Sequence, residues 1–178
     1  MLTVLNKGNE MINQELINRC NEFIDKEVGV SSWVEVTQDM TNEFGRSTDD
    51  VDPNHMDPEW ASRNSPFGQT ISYGFWTLSM LSTMCYDISF QQNIMDSFGK
   101  NYPINYGLEK VRFISPVPVG AKIRCRMIHQ SVEFKGAGRY LFKSKNTIEI
   151  EGQEKPALTA EWLYMLVFSG VDGHNVEV

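Results

Sequence analysis

Asp50 and His55 are the residues of this chain best placed to move a proton. They sit in Asp49-Asp50-Val51-Asp52-Pro53-Asn54-His55-Met56-Asp57-Pro58, an acid-rich, irregular stretch stiffened by the proline between them. A carboxylate five residues ahead of an imidazole can bring two proton-transfer groups to one water or substrate atom, which is what general acid–base chemistry requires. His129 at a strand end and His174 in the tail have no such company. The same stretch also reads as plain turn sequence, because Asp, Pro and Asn in this order favour turns without any chemistry. Asp50, Asp52, His55 and Asp57 match no metal-ligand spacing, so no metal is expected. A Gly-x-Ser-x-Gly elbow, a Gly-rich phosphate loop and a dinucleotide fingerprint are all missing from the sequence, which argues against those chemistries.

Several elements must position these groups. Thr37 can cap a helix carrying Met40 and Phe44 on one side, and Asp57-Pro58 starts another, with the acid as cap and proline in the first turn. Over residues 72–87, Phe75, Trp76, Leu78, Met80, Leu81, Met84 and Cys85 cover nearly the whole helical circumference, predicting a helix buried in the interior. Residues 9–27 place Met11, Ile12, Leu16, Cys20, Phe23 and Ile24 at helical spacing with Gly29 as a stop, an amphipathic N-terminal helix. Trp33 to Val36 is a short extended piece.

The second half changes character near Ile104. Residues 107–114 are β-like, and Ala121, Ile123, Cys125 and Met127 then alternate with Lys122, Arg124 and Arg126, the mark of a half-buried strand. Gly136-Ala137-Gly138 and residues 152–156 separate two further strands, 139–151 and 158–168. The pattern predicts an α+β domain in which a curved antiparallel sheet wraps a buried central helix. Such a sheet leaves an edge strand and a flank for a second copy to cover. Residues 1–29 form a helical extension, 30–168 the single domain and 169–178 a tail.

With 178 residues, 41% of them hydrophobic, the chain suits one globular domain with a real core. A net charge of −7 argues against nucleic acid as a partner. There is no apolar run of about 18 residues and no secretory signal, so neither a membrane span nor export is expected, and the cytoplasm is the default. Cys20, Cys85 and Cys125 lack Cys-x-x-Cys spacing and read as small buried thiols.

Taken in order, Asp50-x-x-Pro53-x-His55-x-Asp57, Ala61, and Pro66-Phe67-Gly68-x-x-Ile71-x-x-Gly74 resemble the MaoC-like family of hot-dog-fold (R)-specific enoyl-CoA hydratases. The resemblance extends through Tyr106 to Phe113 and Ser115-Pro116-Val117-x-Val119-Gly120, covering roughly residues 30 to 168. It implies a homodimer acting on an acyl-CoA or acyl-carrier thioester, in which Asp50 and His55 bind and activate one water. It also implies that the Gly74 N–H polarises the thioester carbonyl and that Ser82, by spacing, takes the place of the family's helix serine. Trp76, Met80 and Met84 are expected to include residues that limit acyl length. Arg112, Lys122, Arg124 and Arg126 are candidate partners for CoA phosphates, if they are not simply solvated strand faces. The reaction needs no metal or redox cofactor, CoA being part of the substrate. An acyl-thioester hydrolase on the same fold and a silent acyl-thioester binding module are the alternatives.

The chain departs from the family pattern at four places. Asp49 and Asp52 stand where Gly and Asn are usual, Asn54 where an aliphatic residue is usual, and Tyr73 where His often precedes the glycine. Were Asp49 or Asp52 buried beside Asp50, like-charge repulsion would raise a carboxyl pKa.

Overall fold

The computed structural model describes residues 14–15, 17–92 and 101–168. The expected tail, 169–178, and residues 9–13 and 16 of the expected N-terminal helix lie outside them. Residues 14–15 and 17–21 are helical (α1), and a left-handed turn at Asp25, with φ 59°, then sends the chain into strand β1 (Glu27–Val30). The helix therefore ends earlier than the apolar spacing suggests, and Gly29 lies in a strand paired antiparallel with Met127. Strand β2 (Val34–Glu35) pairs with the same neighbour.

Helices α2 (Gln38–Thr48), α3 (Pro53–Met56) and α4 (Pro58–Asn64) follow, and then the long helix α5 (Gly74–Gln91). Each of the three short helices starts on a side-chain cap. Thr37 accepts from the Met40 N–H at 3.2 Å, Asp52 from the Asn54 N–H at 2.8 Å and Asp57 from the Trp60 N–H at 2.8 Å. Pro53 and Pro58 occupy first-turn positions where the missing N–H costs nothing.

Strands β3 (Asn101–Phe113), β4 (Lys122–Phe134), β5 (Arg139–Ile150) and β6 (Leu158–Phe168) complete an unclosed antiparallel sheet of order β1-β4-β5-β6-β3. Strand β3 begins six residues before the position the sequence suggests, because its first half is held by β6, with Asn101 opposite Phe168. The period of two puts Ile123, Cys125, Met127, Ile148, Ile150, Leu158 and Ala160 on one face. There they pack on Trp76, Leu81, Met84, Cys85 and Ile88 of α5. A second cluster places Cys20 against Tyr140, Phe142 and Leu166, so α1 closes one end of the concave face. Within the core, the buried Asn146 amide donates to Ser144 Oγ at 2.9 Å, and its oxygen accepts from the Cys85 and Cys125 thiols at 3.6 and 3.7 Å.

This is the hot-dog architecture, with one correction concerning the helix. In the single chain α5 is covered on one side only: Phe75, Tyr86 and Phe90 are 71%, 52% and 83% exposed. An open sheet reaches around only part of a helix, so an all-round apolar sequence leaves an apolar flank bare. No helix among the described residues is long and apolar enough to cross a membrane.

Candidate active site

The segment from Thr70 to Gly74 is the strut on which the site is built. The Ile71 N–H donates to Asn54 O at 3.1 Å, Ser72 N–H to Val117 O at 2.8 Å and Val119 N–H to Thr70 O at 3.0 Å. The strut is therefore laced to α3 on one side and to the turn before β4 on the other. His55, in α3, points its Nδ1 at the Ile71 carbonyl, 2.7 Å away. A carbonyl only accepts, so Nδ1 carries the proton and Nε2 of the neutral ring is left as the basic atom.

His55 and Gly74 line one cleft of about 290 Å³, walled by Phe113, the Ser115-Pro116-Val117 turn and the start of β6. Gly74 is the first residue of α5, and its N–H has no acceptor within its own helix. The helix start also favours negative charge. A side chain at this position would not fit easily: a Cβ on Gly74 would lie 3.0 Å from the Phe113 ring.

Asp50 follows Asp49, whose left-handed φ of 58° ends α2. Its N–H donates to Gly45 O at 3.0 Å and its carbonyl accepts from the Tyr73 hydroxyl, while its side chain is exposed. The Tyr73 ring lies against His55, centroids 3.9 Å apart. Burial, and then the negative charges of Asp50 and Asp52, push the Tyr73 phenol above its usual pKa. The condition for like-charge repulsion, burial of Asp49 or Asp52 beside Asp50, is not met, since all three are exposed. Asp49 is exposed, and Asp52 is a helix cap whose carboxyl is lowered by hydrogen bonds from the Asn54 N–H and side chain. Asp57 is likewise engaged as a cap.

The other candidate residues are scattered. Ser82 lies about 12 Å along α5 from Gly74 by helical rise, and it lines two different clefts, of about 130 and 270 Å³. Trp76 and Met84 belong to the main core and Met80 packs against it. Arg124 pairs with Glu149 at 2.7 Å and stacks over Trp33, and Arg126 pairs with Glu149 at 2.8 Å and with Glu27. Lys122 is exposed at the start of β4, and Arg112 is exposed beside Phe113 of the cleft wall.

Two participants escaped sequence reasoning. Gln38 donates to the His55 carbonyl at 2.7 Å and accepts from the buried Thr70 hydroxyl at 2.6 Å, bracing both ends of the His55–Ile71 contact. Tyr73 is legible in sequence only as an unusual residue before the glycine.

Residues 20–150 match the family described as MaoC like domain, and the chain belongs to that family. It is 41% identical over 136 residues to 3-hydroxyacyl-thioester dehydratase Z of Mycobacterium tuberculosis, covering 76% of this chain and 85% of that protein. It is 39% identical over 149 residues to nodulation protein N of Rhizobium leguminosarum bv. viciae, covering 84% of this chain and 89% of that protein. The fold is similar to that of an (R)-hydratase from A. caviae involved in PHA biosynthesis, with a TM-score of 0.61, 17% identity and coverage of 79% and 94% of the two chains.

Proposed function

We propose that this protein is a hydro-lyase that reversibly adds water to a trans-2-enoyl-CoA to give the (R)-3-hydroxyacyl-CoA. The observation that carries the reading is His55, its Nδ1 proton committed to Ile71, in the wall of the same cleft as the helix-start glycine Gly74. The family and the relative named as a 3-hydroxyacyl-thioester dehydratase support it.

In this reading Asp50 and His55 hold one water. As its oxygen adds to C3 of the enoyl group, the pair takes up one of its protons and a proton is delivered to C2, so the sum is one water added across the double bond. Charge that builds on the thioester oxygen meets the Gly74 N–H and the positive end of α5. No cofactor enters these steps. Arg112, next to Phe113 of the cleft wall, is the basic residue we assign to the CoA phosphates, because Arg124 and Arg126 are engaged by Glu149. Ser82 and the acyl chain follow α5 away from Gly74.

The protein acts as a cytoplasmic homodimer. The bare flank of α5 adjoins β3, the strand at one edge of the sheet, whose Tyr102, Ile104, Tyr106 and Leu108 are exposed. A second copy would cover both.

The test is turnover of short- to long-chain enoyl-CoAs, with loss of enoyl-thioester absorbance and free thiol followed together. Absorbance falling to an equilibrium without thiol, with an (R) product by chiral chromatography, is the expected result. Thiol release would identify a hydrolase instead, and binding without turnover a silent acyl-thioester module. Asp87, the carboxylate late in α5, is tied to the Ser32 N–H at 2.6 Å and to Gln91 at 2.8 Å, which does not favour the hydrolase.

A further inference from the structure

Tyr73 has no part in the chemistry above, yet both proton-transfer candidates meet on it. Its hydroxyl donates to the Asp50 carbonyl, and its ring lies on the His55 imidazole at 3.9 Å between centroids and a tilt of 34°. Its own carbonyl accepts the Thr77 N–H and hydroxyl, each at 3.0 Å, closing the first turn of α5 behind Gly74. The side chain is 4% exposed, so these contacts are made out of water. Room for it is built into α2. A Cβ on Gly45 would collide with the Tyr73 hydroxyl and lie 2.6 Å from Met56 Sδ and 2.9 Å from the Asp50 carbonyl.

The physical consequence is specific. Asp50 is an exposed residue between two helices, and without these ties it would pivot about its backbone. Its N–H is held by Gly45 and its carbonyl by Tyr73, which fixes the peptide on either side and leaves only side-chain rotation. The same phenol ring limits tilting of the imidazole whose Nδ1 is anchored on Ile71.

We propose that Tyr73 is the positioning residue of this site, holding the Asp50 peptide and the His55 ring in one working geometry without touching the reacting atoms. The kinetic arm of its test rests on the hydratase reading; a spectroscopic arm does not.

Tyr73→Phe keeps the ring and removes the hydroxyl, whereas Tyr73→Leu removes both. A misplacement of about 1 Å can cost 10²-fold in rate, so loss of one of the two ties is expected to lower kcat about tenfold. KM should stay within about twofold, since substrate binding is untouched. Tyr73→Leu should fall further. Wild-type kcat in Tyr73→Phe would overturn the proposal, as would a loss confined to thermal stability.

The second arm is ¹⁵N NMR of the imidazoles, simple to assign with three histidines in the chain. In Tyr73→Phe the His55 ring and Asp50 amide signals should move and broaden while those of buried His129 stay put. If the wild type hydrates no enoyl-CoA, the function fails and this arm alone decides. Unchanged His55 and Asp50 signals would overturn the positioning role.

Discussion

His55 Nδ1 lies 2.7 Å from the carbonyl oxygen of Ile71, and this contact settles which ring nitrogen holds the proton. The strut that carries Ile71 continues directly into Gly74. The His55 ring and the helix N-terminus are therefore joined through well-held backbone rather than through a loose loop.

If Asp50 and His55 work on one water, Asp50→Asn and His55→Ala should each lower kcat by about 10²–10⁴. The double variant should cost little more, because groups that act as a unit are not additive. Asp52→Asn, at a helix cap, should change the rate by less than about tenfold, consistent with a shift of no more than about one pKa unit at the site. Steady-state kinetics on folded protein checks all three, and a larger loss at Asp52 than at Asp50 would reassign the carboxylate.

Gln38→Leu keeps the volume but strands two groups, the hydroxyl of Thr70, a residue 4% exposed, and the His55 carbonyl. A buried polar group left unpaired costs about 1–3 kcal/mol. Urea unfolding should show a loss in that range together with slower turnover. Unaltered stability would mean that water replaces the amide.

Met84 is 1% exposed beneath the sheet, so Met84→Ala should destabilise by about 2–5 kcal/mol. Its chain-length profile should stay that of the wild type, because the side chain fills core rather than cleft. A shift towards longer acyl chains in this variant would return Met84 to the acyl wall.

Glu161 sits between Lys110 and Lys143, each 2.6 Å away, and their hydrogen bonds pull its carboxyl from 4.5 down to about 2. A carboxyl depressed on folding contributes its stability above the unfolded value and loses it as pH falls through the folded one. The difference in melting temperature between wild type and Glu161→Gln should be full at neutral pH, shrink below about 4.5 and close near about 2. A gap independent of pH would show that the ion pairs contribute nothing to it.

Phe90 is 83% exposed in the single chain, on the flank that the proposed dimer would cover. If the chain pairs through this flank, wild type should sediment as a dimer at micromolar concentration and Phe90→Asp as a monomer with reduced activity. A wild type that is already an active monomer would remove the second chain from the function.

Much of this protein is local in origin, and that part is legible in the sequence. The span of β6 follows from its flanking turn residues and the alternation of Leu158 and Ala160 with Thr159 and Glu161; the starts of α2 and α4 follow from Thr37 and Asp57. Asp50 and His55 stand out because residue type and short spacing carry the chemistry. The tertiary structure decides whatever depends on partners distant along the chain. Tyr73 reaches Asp50 across 23 residues, Gln38 reaches Thr70 across 32, and Arg124 finds Glu149 across 25, which turns a phosphate candidate into half of an ion pair. The bare flank of α5 is of the same kind. Periodicity tells which residues avoid water, but how far a sheet reaches around a helix depends on strand order and register, and those exist only once the strands have paired.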